Sequence, residues 1–231
     1  MFSNLDLQGI IISLVALLIS IDVHEFAHAW AAFRLGDNTA QRMGRLSLNP
    51  LVHLDPVGTI MILLSSLTGF GIGWGKPVPY NPRNLRVDPR TGGGLVAVAG
   101  PVSNLILASL IALPLRLLPV ESLPEGLGWD ILASLARINI GLAVFNLLPV
   151  FPLDGHSVLL GALTAVGTRW AQRWADLWAR LQALGPNLLL FVIIADNFLP
   201  ISILGEILTP PIITLCQWIF GTYGCWRILT S

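Results

Sequence analysis

Ile21-Asp22-Val23-His24-Glu25-Phe26-Ala27-His28-Ala29 places two histidines, a glutamate and an aspartate inside an otherwise apolar run. That run extends from Leu7 to Ile21 on one side and from Ala29 to Leu35 on the other. Histidines four apart on a helix project from one face, about one turn apart, and can grip one tetrahedral zinc through their imidazole nitrogens. Glu25 follows the first histidine and can reach a water on such a metal as general base. Ionisable groups in an apolar helix are costly in lipid unless they face the bundle interior and find partners, so they mark a functional site.

Composition sets the same frame. The chain is 54% hydrophobic and 11% charged, with a mean hydropathy of +0.74. A soluble domain carries about 25% charged residues. The apolar segments are long rather than alternating, which predicts an all-α polytopic membrane protein with about five to six transmembrane helices. The formal net charge is zero, and nothing points to nucleic acid. Cys216 and Cys225 lie near the C-terminus without CxxC spacing and are expected to be two unpaired buried thiols. The first 21 residues lack a basic n-region and run on into the helix that carries the pentad His24-Glu25-Phe26-Ala27-His28, so no signal peptide is expected.

The expected organisation has three parts. Residues 1–166 form a catalytic transmembrane core, 167–184 an interfacial amphipathic helix, and 185–231 a C-terminal transmembrane hairpin whose second span bends at Pro210-Pro211. Within the core, the alternation from Met43 to Leu48 is a strand signal, and Lys76-Pro77-Val78-Pro79-Tyr80-Asn81-Pro82 is kept from helix by its prolines. A span at Gly93–Leu118, an acidic loop with Glu121, Glu125 and Asp130, and a long segment Ile131–Val166 broken at Pro149 and Pro152 follow. Trp170, Trp174 and Trp178 at i, i+4, i+8, beside Arg169, Arg173 and Arg180, suit a helix at headgroup level, or an ordinary cytosolic extension.

A catalytic zinc takes three protein ligands and keeps one position open. Asp154 stands just after the two breaking prolines, as a ligand candidate or as the cap of a helix starting at Gly155. His53 and His156 are rivals. If Asp154 and the pentad share a metal, both lie at one depth late in their segments, so the Asp154 segment should be the third crossing. Val57–Trp74 then dips in and returns, or lies across the bundle; the alternative is a full crossing. With the dip, ten basic residues from Arg34 to Arg180 share one side, which places the N-terminus outside and the active-site end near the cytoplasm.

Five stretches carry a resemblance. They are His24-Glu25-Phe26-Ala27-His28, Asn49 to Pro56, Gly73 to Pro79, Gly100-Pro101-Val102-Ser103-Asn104, and Asn146 to Gly155. In this order they resemble the site-2 proteases, intramembrane zinc metalloproteases, and in particular compact prokaryotic members. The resemblance implies that His24, His28 and Asp154 bind one Zn2+ per chain and that Glu25 activates the water. It implies that Asn104 and Asn146 lie near the site and steady the scissile carbonyl or the oxyanion. It also implies a small membrane-dipping β-hairpin or sheet between the first two core helices, within 36–91, built from Arg45–Pro50 and Lys76–Pro82. Phe151 and His156 depart from the family's usual Pro and small residue, and His156 could tune the site or compete for metal. The loops are too short for a PDZ or CBS domain.

The expected activity is peptide-bond hydrolysis in transmembrane or remnant signal-peptide substrates at the lipid bilayer, in a prokaryotic inner membrane. Such a substrate must be unwound, and an edge near Asn146–Pro152 or Lys76–Pro82 could hold it by β-addition. The competing function is a membrane metal-ion transporter, or a metal-binding sensor without hydrolysis. It would need acidic groups on several spans, where only Asp196 and Glu206 remain.

Overall fold

A computed structural model of the chain describes residues 7–68, 75–117, 125–196, 198–199 and 202–230. Gly73, Trp74 and Glu121 lie outside the described residues. The described chain is helical: α1 (Leu7–Arg34), α2 (Thr39–Arg42), α3 (Pro50–His53), α4 (Pro56–Thr68), α5 (Pro89–Leu117), α6 (Leu127–Asn146), α7 (Asp154–Val166), α8 (Arg169–Leu181), α9 (Gly185–Asp196) and α10 (Ile203–Thr230). Five helical runs among the described residues are long and apolar enough to cross a membrane: α1, α5, α6, Arg169–Asp196 and α10.

The core is built on small residues. The buried face of α1 reads Ile12, Ala16, Ser20, His24, His28 and Ala32, one residue every four. The stripe about 100° around the helix, Leu7, Ile11, Val15 and Ile19, is exposed. This is the reverse of a soluble helix, as expected where lipid tails are as apolar as leucine and close backbone packing drives association. α5 sits centrally, against α1, α6, α7 and α10. It meets α7 where Gly94 faces Gly161, and a Cβ at Gly94 would stand 3.0 Å from the Gly161 Cα.

The expected β-hairpin or sheet is absent among the described residues. An isolated antiparallel bridge joins Leu54 to Gly75. The alternation at Met43–Leu48 fails as a strand because Gly44 takes φ +68° and turns the chain. Asn49 then caps α3 through its side chain, which accepts from the Leu51 amide. On the other side, prolines at 77, 79 and 82 remove ladder donors. Side chains hold this extended segment instead. The Arg45 guanidinium donates to the carbonyls of Lys76 (2.7 Å) and Pro77 (3.1 Å), and the Lys76 amide donates to His53 O (2.8 Å). Of the predicted Val57–Trp74 segment, the described helix α4 has 13 residues, about 20 Å at 1.5 Å per residue; residues 69–74 are outside the described set.

One C-terminal expectation is also corrected. α10 contains Pro210 and Pro211, and its helical geometry breaks at Gly221 (φ 75°, ψ 167°). Cys216 and Cys225 are not free thiols but form a disulfide, with their Cα atoms 5.3 Å apart. A continuous helix would hold residues nine apart about 13.5 Å apart, so the break at Gly221 permits the pairing. The disulfide belongs to the same buried cluster as Ala108 and Ala112 of α5 and Trp129 and Ala133 of α6.

Candidate metal centre

His24 and His28 face inward one turn apart on α1, their rings edge to face with centroids 4.6 Å apart. Both are buried. His28 Nδ1 lies 2.8 Å from the carbonyl oxygen of Val96 on α5. A carbonyl only accepts, so Nδ1 carries the proton. His24 Nδ1 lies 2.6 Å from Asn104 Oδ1. The Asn104 amide nitrogen donates to the Ser20 carbonyl at 3.0 Å, which fixes its oxygen toward His24. Nδ1 is the donor there too. With each ring neutral, Nε2 then presents a lone pair.

Those lone pairs meet a third acceptor. Oδ2 of Asp154 lies 3.1 Å from His24 Nε2 and 3.4 Å from His28 Nε2. It is buried and has no hydrogen-bond partner. The three ligand atoms lie within 4.8 Å of one another. Three converging acceptors repel each other unless a cation or a proton sits among them, and a His-His-carboxylate set suits zinc.

Backbone shape makes the room. A Cβ on Gly100 of α5 would fall 2.5 Å from His28 Nε2 and 2.6 Å from His24 Nε2. Asp154 arrives by a different route. The break after α6 delivers it as the first residue of α7, and Gly155 lets that turn press on the carbonyls of Leu147 and Leu148. Leu153, not Asp154, holds the cap position of α7, and no side chain caps it. The carboxylate is thus left to the histidines.

The ligand atoms open onto a cavity of about 520 Å3 whose lining includes Glu25, Val78, Tyr80, Asn146 and Leu189. Glu25 Oε2 accepts from the Val78 amide at 3.2 Å, the one N–H in Pro77-Val78-Pro79. Asn146 spends one amide hydrogen on the Leu142 carbonyl (3.0 Å) and has a second to turn toward the cavity.

The other sequence candidates sit elsewhere. Asn104 is fully buried behind His24 and outside the cavity lining. His53 Nε2 is committed to the Ser47 carbonyl at 2.8 Å and faces Asp22 at 3.7 Å. His156 stacks on Trp178 and meets Phe151 edge-on. Neither joins the cluster. Sequence reading missed Ser20 and Asn139, which line up behind Asn104. Their signal was a polar side chain in an apolar helix.

The profile of peptidase family M50 matches residues 123–185. The chain is 42% identical over 156 residues to a Bacillus subtilis protein named "Putative zinc metalloprotease YwhC", covering 63% of this chain and 66% of that one. The chain belongs to the site-2 protease family. It is also 31% identical to "Putative zinc metalloprotease Rip2" of Mycolicibacterium smegmatis (67% of this chain, 59% of that one). Against the Rip2 of Mycobacterium tuberculosis the identity is 34% (65% and 57%). The matches thus span between 57% and 66% of these relatives' lengths. No solved structure matches the chain significantly. Family membership and the five apolar helical runs among the described residues make it an integral membrane protein.

Proposed function

We propose that the chain is an intramembrane zinc metalloendopeptidase that cleaves membrane-embedded protein substrates. The observation that carries this is the convergence of His24 Nε2, His28 Nε2 and Asp154 Oδ2 on one point beside Glu25. A bound zinc supplies Lewis acidity and a water of lowered pKa. The two imidazoles and the carboxylate hold it, one ion per chain. Glu25 takes the proton from the attacking water and returns it to the leaving amine. The Val78 amide orients the Glu25 carboxylate by occupying one oxygen. The free amide hydrogen of Asn146 is placed to meet charge developing on the scissile carbonyl.

The substrate is a transmembrane segment or remnant signal peptide in extended form. It does not pair with Pro77–Pro79 as a strand: two of those residues lack N–H groups, Val78 spends its own on Glu25, and Arg45 takes the Lys76 and Pro77 carbonyls. The cavity wall formed by Asn146 and Leu189 remains for docking.

The active-site end faces the cytoplasm of a prokaryotic cell membrane. Basic residues between Arg34 and Arg90 support this, as they flank the pentad end of α1 and the start of α5. The Cys216–Cys225 disulfide supports it too, lying toward the other ends of α5 and α6, where an outside placement would be oxidising. α8 lies at the headgroup level, Ala171 and Ala175 against the protein and Trp170 and Trp174 exposed.

The test compares purified wild type with Glu25→Gln for bound zinc and for cleavage of a generic transmembrane substrate. Both should bind about one zinc, and only wild type should cleave. Cleavage by Glu25→Gln, or zinc without cleavage in both, refutes the assignment.

A further inference from the structure

Behind His24, on the side away from the cavity, runs a chain of polar side chains that the proposed chemistry does not use. Ser20 Oγ donates to the Ala16 carbonyl at 2.7 Å. Asn139 Nδ2 donates to Ser20 Oγ at 2.8 Å and to the Leu135 carbonyl at 2.8 Å. Asn139 Oδ1 accepts from Asn104 Nδ2 at 2.7 Å, and Asn104 Oδ1 faces His24 Nδ1 at 2.6 Å. Ser20, Asn104 and Asn139 are each 0% exposed, so water can replace none of these partners.

The direction of this chain is forced. Ala16 O and Leu135 O are carbonyls and only accept. Ser20 must therefore spend its hydroxyl hydrogen on Ala16, which leaves its oxygen to accept from Asn139. Asn139 then spends both amide hydrogens and turns its oxygen to Asn104. Asn104 spends both of its own on Ser20 O and Asn139, and its oxygen is left for His24. Reversing any member sets two acceptors or two donors face to face in a dry interior, which costs on the scale of an unmade buried bond.

We infer that Asn139 and Ser20 are positioning residues that act through Asn104 to hold His24 as its Nδ1–H tautomer, with Nε2 aimed at the metal. The inference rests on the zinc reading above. His28 obtains the same service from the Val96 backbone, so His24 alone depends on side chains. Because the chain links α1, α5 and α6, it ties ligand orientation to the packing of the three core helices. Partners of a ligating histidine of this kind typically set metal affinity by about 10- to 100-fold.

The test measures the zinc dissociation constant by chelator competition, and cobalt d–d absorption, in wild type, Asn104→Ala, Asn139→Ala, Ser20→Ala and the Asn104→Ala/Asn139→Ala double variant. Thermal unfolding of the metal-free forms is followed alongside. Asn104→Ala should weaken zinc by about 10- to 100-fold and Asn139→Ala by about tenfold. Asn139→Ala should have no further effect on zinc in the Asn104→Ala background, because residues acting in one line are not additive. The inference is overturned if Asn139→Ala binds zinc as wild type does while its metal-free form melts lower, since the chain would then serve packing alone. It is equally overturned if the Asn139→Ala effect persists undiminished without Asn104. If Asn104→Ala does not fold, Asn139→Ala and Ser20→Ala decide: weakened zinc in both supports the inference, and unchanged affinity in both ends it. A wild type that binds no zinc refutes the metalloprotease reading and this inference with it.

Discussion

His24 Nε2 and Asp154 Oδ2 face each other at 3.1 Å across the end of the cavity, although the histidine's ring proton is on the far side, toward Asn104. Two acceptors in that position need a cation or a proton between them, and zinc suits the His-His-carboxylate set. Zinc should therefore raise the thermal midpoint of the wild type, since a ligand at 100 times its dissociation constant stabilises by about 2.7 kcal/mol. Asp154→Ala should lose that response, and a chelator should return wild type to the variant's midpoint. Thermal unfolding with and without zinc measures it, and a zinc shift that survives Asp154→Ala places the metal elsewhere.

Gly100 is the floor of the site. Alanine there drives a methyl to within 2.5 Å of His28 Nε2, and overpacking of a closed interior costs about 1–3 kcal/mol. Since the nearest atoms are the ligand nitrogens themselves, Gly100→Ala should reduce bound zinc sharply. Metal content of the purified variant reports this; full occupancy would mean that α5 moves aside.

The Val78 amide holds Glu25 at 3.2 Å. A hydrogen bond to a charged group is worth about 1.5–3 kcal/mol, or about ten- to a hundredfold in rate. Val78→Pro removes the N–H from a segment that is already proline-rich. It should lower kcat by that factor with zinc content unchanged, whereas Val78→Ala should behave as wild type. Equal rates in both variants would show that Glu25 is oriented by other means.

Asp37 pins the extended segment to the end of α1. Its carboxylate accepts from Asn84 Nδ2 (2.8 Å), Thr39 Oγ1 (2.7 Å) and the Asn81 amide (2.8 Å). Burial raises its pKa, but the hydrogen bonds from Asn84, Thr39 and Asn81 outweigh burial and leave it below the ordinary value. The folded state thus favours the ionised form. That stabilisation is complete above the ordinary carboxylate pKa of about 3.9 and fades as the pH drops through the lowered folded value. Asp37→Asn should unfold more easily at neutral pH, and the difference from wild type should shrink on acidification. Chemical denaturation at several pH values tests it, and a gap that widens toward low pH contradicts the assignment.

How much of this could be read from the chain alone depended on the range of the interactions. The pentad was legible because spacing on one helix is a local property, and the apolar spans because lipid selects on composition. The strand reading failed at Gly44, where a positive φ interrupts an alternation too short to outweigh it. The cysteines were misread because their approach depends on a backbone break at Gly221, five residues beyond Cys216. Asn104 could be placed near the site by motif, but not behind His24, because its partner is 80 residues away in sequence.

The sequence by itself determined a helical membrane protein with a histidine pair and a glutamate set in an apolar helix, since periodicity and hydropathy act within single segments. Only the tertiary structure decided that Asp154 converges with His24 and His28 while His53 and His156 stand apart. It also decided that Val78 holds Glu25, and that three buried polar side chains dictate the face His24 presents. Those outcomes hang on which acceptors meet which donors across packed helices, and a hydrogen bond has a direction that no spacing in the chain encodes.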